Sequence, residues 1–365
     1  MKYLLLLFFI TNIAQAIDLG INVHVPVSQD VINTLKTRNI KSVRLDVNYD
    51  TNVATFRNTL STYKVNNIGT EVILHPSIEW NHTCPQDLTN VQSTAYSQTY
   101  AMVDAYKDLN WDYELMNEVT HRSELKLEVP NNTGTTESVY FNKPCYNTIS
   151  AALKGMSQAI QTIKTASGYP LRTIVGTTGK DYGYIDYVKN QGIVVDVVGY
   201  HVYPGYSGAS LSTDVWYGPS GLFTSLAKWN LPVKVNEYDC AEIYGVYDNL
   251  QDSVDTKNCL KSIKKHLPSF LLQTTAKIES ISVYELTDEP LKPSPENKFG
   301  LMYNTHTPKL QLALISGIMG GDINLAEKSK LLSFGIITCN ELANFKLRAM
   351  FQPLTTSVYN PSTCN

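Results

Sequence analysis

Eight short apolar runs recur along this chain, alternating with longer stretches that carry a helical pattern. That alternation restricts its fold more than any other feature. The runs lie at 18–23, 42–47, 70–74, 112–117, 173–177, 194–201, 233–236 and 281–286. Each has the length and apolar content of a buried strand. Between them, apolar residues recur at helical spacing: Val31, Ile32 and Leu35, then Ala95, Thr99, Met102, Val103 and Tyr106. The clearest stripe is Ile149, Ala152, Leu153, Met156, Ile160 and Ile163. Further helices are expected over 53–63, within 213–229, over 257–274 with a break at Pro268, and over 310–318. Strand–helix units in series build a parallel sheet wrapped by helices. Eight of them close into a (β/α)8 TIM barrel, an α/β fold of roughly 250 residues before insertions. A doubly wound sheet would carry G-x-G-x-x-G after its first strand, and none follows 18–23.

The ends of the chain read differently. Lys2, the apolar Leu4 to Ile10 and the small-x-small Ala14-Gln15-Ala16 form a secretory signal peptide over 1–16. The mature chain is expected to start near Ile17 and to be secreted, extracellular or periplasmic. The apolar run is too short to span a bilayer, so no membrane association is expected after cleavage. The barrel should occupy 17–319. Residues 320–365 are left as a C-terminal extension, packed on the barrel or forming a small appendage. Within the barrel, the long polar insertion at 119–146 has the character of a functional loop.

The formal charge is −3, and no basic block stands out. No nucleic-acid partner is therefore expected. Six cysteines in an exported chain point to disulfides. The expected pairs are Cys84–Cys145, Cys240–Cys259 and Cys339–Cys364, the first tying two loops at one barrel face. No spacing suggests zinc, and neither a metal nor a cofactor is expected. Asn81-His82-Thr83 and Asn131-Asn132-Thr133 are glycosylation acceptors in a eukaryotic host. The 23 tyrosines suit either sugar stacking or plain packing.

Barrel enzymes place their chemistry where strands end. The polar residues there are Asn22 and His24, Arg44 and Asp46, His75, Asn117 and Glu118, His201 and Tyr203, Glu237, and Tyr284 or Glu285. Alternation turns Ser42, Arg44 and Asp46 inward on the second strand. It gives Met116 and Glu118 one parity on the fourth, and Val233, Val235 and Glu237 one parity on the seventh. Glu71 and Glu114 fall within strands and read as barrel-interior or bottom-side residues.

An arginine ending strand two, a histidine ending strand three, Asn-Glu on strand four, His-x-Tyr on strand six and Glu on strand seven occur in order as Arg44, His75, Asn117-Glu118, His201-Val202-Tyr203 and Glu237. On these residues the chain resembles clan A glycoside hydrolases, most nearly family 5, with family 39 second. The match runs over about 18–319. A tryptophan that family 5 usually places at the end of strand eight is replaced by Tyr284-Glu285.

The resemblance implies a retaining hydrolase that cleaves β-glycosidic bonds of a carbohydrate substrate, a polysaccharide or oligosaccharide, by double displacement; the chain is expected to be a monomer. Glu237 would be the nucleophile, with its pKa held down by Arg44, and Glu118 the acid/base. Tyr203 would donate to Glu237, and Asn117 would bind the sugar 2-hydroxyl. His75 and His201 would orient hydroxyls or Glu118, and Tyr284 could stack on the sugar. Trp80, Trp111, Trp216 and Tyr182 are further candidate platforms. The competing readings are structural: an ion-pair network for the glutamates, a salt bridge to Asp46 or another acid for Arg44, and packing for the histidines and tryptophans. At the level of function, the alternative is a catalytically inactive carbohydrate-binding barrel. A metal-dependent barrel hydrolase would call for His-x-His near strand one, where this chain has Asn22-Val23-His24.

Overall fold

A computed structural model describes residues 17–80, 84, 86–205, 209–240, 254–294, 296–339 and 341, leaving aside the side chains of Glu79 and Trp80. Eight parallel strands close a barrel in chain order. They are β1 (Asp18–Asn22), β2 (Ser42–Asn48), β3 (Gly69–His75), β4 (Asp112–Leu115), β5 (Arg172–Thr178), β6 (Val197–Val202), β7 (Pro232–Tyr238) and β8 (Lys277–Val283). The described helices are α1 (Gln29–Thr37), α2 (Val53–Val65), α3 (Leu88–Tyr106), α4 (Ser123–Glu128), α5 (Pro144–Ser167), α6 (Gly183–Asn190), α7 (Gly221–Ala227), α8 (Val254–Leu272), α9 (Leu310–Ile318) and α10 (Leu325–Ser333). The (β/α)8 TIM barrel expected from the alternation is the fold. A hairpin of β9 (Met302–Asn304) and β10 (Thr307–Pro308) follows β8.

Local chemistry accounts for the helix ends. Ser28 accepts the Val31 N–H to start α1, and Asp87 accepts two amides to start α3. Pro144 opens α5, and left-handed Gly168 closes it. The stripe on α5 packs against α3. Tyr140, Tyr146, Tyr184 and Tyr187 form one aromatic cluster beside α5 and α6, so these tyrosines are packing residues.

The barrel interior is charged from one end to the other. Arg172 pairs with Asp112 at 2.6 Å and with Glu279 at 2.9 Å. Lys234 reaches Asp112 at 2.5 Å and Glu71 at 2.9 Å. Above them Arg44 holds Glu114 at 2.7 Å and Glu237 at 2.9 Å, and the Asn236 amide donates to Glu114 at 2.9 Å. Glu71 and Glu114 thus sit inside the barrel. Two glycines leave room for this column. A Cβ on Gly176 would stand 2.9 Å from Glu114 Oε1, and one on Gly199 would stand 2.8 Å from Asn236 Nδ2.

Four sequence expectations shift. The strand predicted at 112–117 ends at Leu115, where the backbone turns left-handed at Met116. The sixth strand starts at Val197, because Val194 is exposed and its amide turns to Ser157 Oγ. The eighth is Lys277–Val283 rather than 281–286; its polar start carries Glu279 to Arg172, so apolar content alone placed it too late. The helix between β7 and β8 runs unbroken through Pro268, held by Cys259, Leu260, Ile263, Leu267 and Phe270 on its buried face.

Two disulfides pair as expected. Cys84–Cys145 joins the loop after β3 to the start of α5, and Cys240–Cys259 joins the end of β7 to α8, with Cα separations of 5.2 and 5.3 Å. Cys339 is disulfide-bonded, and Cys364 lies outside the described residues. So do the 81–83 acceptor site and the Trp80 side chain. Beyond α9, Asn324 and Glu327 cap α10 reciprocally, and Glu327 also forms a buried ion pair with Arg38. No described helix is long and apolar enough to cross a membrane.

Candidate active site

Glu118 reaches the mouth of the barrel by leaving the strand geometry. Met116 and Glu118 both adopt left-handed backbone, with φ of 60° and 42°, a conformation that costs a non-glycine residue on the order of 1 kcal/mol or more. Met116 is fully buried while Glu118 opens to solvent. The shared parity predicted for these two therefore does not apply. A second irregularity presents Glu237. Tyr200 pairs with Val235, but His201 pairs with Glu237, so two β7 residues face one β6 residue. This is a β-bulge. Lys234 and Asn236 point into the barrel, and the bulge brings Glu237 to the same side. The expectation that Glu237 shares the face of Val233 and Val235 is corrected accordingly.

The two glutamates come together. Oxygens of Glu118 and Glu237 and a ring nitrogen of His201 all lie within 4.8 Å of one another. His201 Nδ1 is 3.0 Å from Glu118 Oε1 and 3.3 Å from Glu237 Oε2. Tyr203 donates its hydroxyl to Glu237 Oε2 at 2.6 Å, and Arg44 donates to Oε1 at 2.9 Å. Arg44, 1% exposed, spends its remaining donors on Glu114, Asn22 Oδ1 and Asn117 Oδ1. Of the structural partners expected for Arg44, another acid, Glu114, takes the place of Asp46, which engages His75 at 2.7 Å and His24 at 3.2 Å.

These contacts set the charges. Burial alone would push the Glu237 carboxyl up, but His201, Arg44 and Tyr203 hold it well below the usual carboxylate range. Burial would lower the His201 imidazole, yet Glu237 and Glu118 raise it to about 10. Partial burial likewise opposes charge on His24, and Asp46 and Glu285 overcome it, raising its pKa to about 10. Burial lifts the Glu285 carboxyl to about 7 against the pull of His24.

The pair stands between two adjoining lobes of one cleft. A lobe of about 680 Å³ is lined by Tyr200, Tyr203, Trp216, Tyr217 and Phe299, among others. One of about 500 Å³ is lined by His24, Arg44, Asp46, His75, Glu289 and Lys292, among others. Asn117, Glu118, Glu237 and Tyr284 line both. All eight sequence-selected residues (Arg44, His75, Asn117, Glu118, His201, Tyr203, Glu237 and Tyr284) thus converge here. The choice left open at the end of β8 resolves: Tyr284 faces the cleft with Lys292 donating to its hydroxyl at 2.6 Å, and Glu285 is buried against His24 at 2.6 Å. Among the candidate platforms, Trp216 is in the cleft wall. Trp111 precedes β4, at the opposite end of the barrel, and Tyr182 stacks beneath Tyr200.

Sequence reasoning missed Thr178 and Gly179, although they end β5 and follow the same strand-end rule. It also missed His121, in a single 3-10 turn after β4, and Glu289 and Lys292, beyond β8, where no periodicity marks them. At the cleft, two triads bring ligand-type atoms within metal-binding distance of one another: Glu118, His201 and Glu237, and His24, Glu285 and Glu289. Each is knit by carboxylate–imidazole hydrogen bonds between its own members.

No family model matches the chain, and no curated protein does. Solved structures of similar fold exist. A family 1 β-glucosidase from Thermotoga maritima aligns over 86% of this chain and 100% of its own, at 9% identity and a TM-score of 0.56. The β-glucosidase from Thermotoga maritima in complex with noeuromycin covers 81% and 86%, at 11% identity and a TM-score of 0.57. In complex with methoxycarbonyl-substituted glucoimidazole it covers 86% and 100%, at 10% identity and a TM-score of 0.58. At these identities the likeness is one of fold.

Proposed function

We propose that this chain is a secreted retaining glycoside hydrolase that cleaves β-glycosidic bonds by double displacement. The observation that carries the reading is the pairing of Glu118 and Glu237 within 4.8 Å at the barrel mouth, in different environments. Retaining enzymes hold their two carboxyls about 5–5.5 Å apart, whereas inverting ones leave room for a water between them. β-Glucosidases among the solved structures of similar fold support a sugar substrate.

The roles follow from the contacts. Glu237, ionised by its donors, attacks the anomeric carbon. Glu118 gives its proton to the departing oxygen and then takes one from the incoming water. In the first step Glu237 loses its negative charge to the new ester as Glu118 gains one. His201 Nδ1, 3.0 Å from one and 3.3 Å from the other, faces a single negative charge before and after. It can serve both states without moving. Asn117, held by Arg44 at 2.8 Å, is placed for the sugar 2-hydroxyl.

A panel of aryl β-glycosides and β-glycans tests this, with proton NMR of the first-formed anomer. Wild type should release the β-anomer. Glu237→Gln should lose nearly all activity. Glu118→Gln should fall about 10²–10⁴-fold, least with leaving groups that need no proton. Near-full activity in either variant, or α-anomer release, would overturn the assignment.

A further inference from the structure

The charged column inside the barrel holds one acid too many. At its far end Arg172 pairs with Glu279. Further in, the cations among the described residues are Lys234, Arg44 and His201, and the buried acids that meet them are Asp112, Glu71, Glu114 and Glu237. Glu118 also meets His201, but it enters the reaction as the proton donor and so uncharged. With all four buried acids ionised, the column would carry a negative charge that no cation answers. A buried acid in that position takes up a proton instead.

The contacts single out which acid. Asp112 takes both Arg172 and Lys234, and Glu237 takes Arg44, His201 and the Tyr203 hydroxyl. Glu71 takes Lys234 at 2.9 Å and lies 3.7 Å from Arg44 Nε. Glu114 is 0% exposed and touches one cation, Arg44, which it shares with Glu237. Its other donor, the Asn236 amide, is neutral. Glu114 Oε1 is buried with no hydrogen-bond partner, and so are Glu71 Oε1 and Asn236 Oδ1. All three are acceptors, so what this stretch lacks is a hydrogen. Burial pushes the Glu114 carboxyl up, with Glu71 adding to the rise and Arg44 and His201 opposing it.

Glu114 also touches both supports of the nucleophile. It accepts from Arg44 Nε at 2.7 Å, while Arg44 Nη1 donates to Glu237 Oε1 at 2.9 Å. It accepts from Asn236, which precedes Glu237 in the bulge of β7. An ionised Glu114 would compete with Glu237 for the charge of Arg44, whereas a neutral one keeps the geometry and leaves the charge. Glycosylation does not disturb the balance, because Glu118 gains the negative charge that Glu237 gives up.

We propose that Glu114 carries a proton throughout the reaction and acts as a neutral positioning residue for the nucleophile, holding Arg44 and Asn236 in place without drawing charge from Glu237. The positioning role rests on the glycosidase reading above; the proton does not.

Two measurements test the halves separately. Infrared difference spectroscopy at neutral pH compares wild type with Glu114→Gln. The C=O band of a protonated carboxylic acid should be lost in the variant. Loss of carboxylate bands instead would show Glu114 ionised and overturn the proposal. Kinetics then use the substrate on which wild type is most active. Glu114→Ala should lower kcat about 10²-fold with little change in KM, as expected when a group that does not touch the substrate lets the nucleophile shift. Glu114→Gln, which reproduces the neutral acid in shape and hydrogen bonding, should restore most of that kcat. A Gln variant as impaired as Ala, or one that does not fold, would show that the charge is needed and overturn the neutral role. An unchanged kcat in Glu114→Ala would overturn the positioning role. Wild type inactive on every glycoside would remove the glycosidase reading and the positioning role with it, while the infrared band still decides where the proton lies.

Discussion

His201 offers one ring nitrogen to two carboxylates, and its protonation is therefore linked to the folded state. Its folded pKa is about 10, raised from the ordinary 6.5 because Glu237 and Glu118 outweigh its burial. A raised histidine stabilises the fold fully below its unfolded pKa and loses that contribution as pH climbs to the folded value. The window is thus from about 6.5 to about 10, with an upper limit of about 1.4 kcal/mol per pH unit. Glu237 acts on the other flank: its lowered pKa stabilises above the usual carboxylate range and is lost in acid. His24 shifts in the same direction as His201, but 22% of its side chain is open to solvent, so screening weakens its share. Urea denaturation of wild type and His201→Gln from pH 6 to 10 should show a falling stability in the first and a clearly flatter profile in the second. Equal slopes would remove His201 from the linkage. The site was legible in sequence because its residues cluster at strand ends. Their orientation was less so: alternation is a rule for regular strands, and Glu118 and Glu237 are presented by a left-handed turn and a bulge.

Strands were legible where they are apolar, and misplaced where the barrel interior is charged. β8 begins with Lys277, Ile278 and Glu279, a pattern that hydrophobicity passes over, yet Glu279 pairs with Arg172 across the barrel. The helices with a clear stripe were placed, since their stripes face the strands; α4, α6 and α10 went unread, and Pro268 was wrongly taken to break α8. Cysteine pairing was matched for two pairs because the loops after β3 and before α5, and the end of β7 and α8, are neighbours in a barrel. The two bridges close chain segments with sequence separations of 61 and 19 residues. In the chain-entropy account they contribute about 4 and about 3 kcal/mol respectively. Cys84→Ser/Cys145→Ser should therefore lose more stability than Cys240→Ser/Cys259→Ser in guanidinium unfolding. The reverse order would show that native contacts, not loop closure, decide. Cys240 and Cys259 supply a specific reason to check, since Gln311 of α9 donates to both sulfurs, at 3.8 and 3.3 Å.

The barrel does not end cleanly at 319, although eight strand–helix units are complete there. α9 is buried along its whole length, Leu310 to Ile318, including Gln311 and Ser316. A helix with no polar face needs cover on every side. α10 packs on it, and the segment after α10 adds Phe334, Ile336 and Ile337 to the same core. Polar ties accompany the apolar ones: Arg38 forms its buried pair with Glu327, and Ser316 Oγ donates to Asp322 O at 3.1 Å. Leu331, Leu332, Phe334, Ile336 and Ile337 are all buried. At about 1.5–3 kcal/mol per buried side chain the five amount to something on the order of 10 kcal/mol before ordering costs. Whole domains of ordinary stability have only about 5–15 kcal/mol. Deletion also strands the Arg38 guanidinium and exposes the outer face of α9, so the loss falls on the barrel as well as on the extension. We therefore expect a chain of 17–319 to aggregate, or to unfold without cooperativity, under conditions where 17–365 does neither. Size-exclusion chromatography and thermal unfolding by circular dichroism compare the two. Within the full chain, Ile337→Ala should cost about 2–5 kcal/mol as a core truncation, and Glu327→Ala about 3–5 kcal/mol for breaking a buried pair. A soluble, monomeric 17–319 with the melting point of the full chain would make residues 320–365 an appendage, and the barrel alone the folding unit.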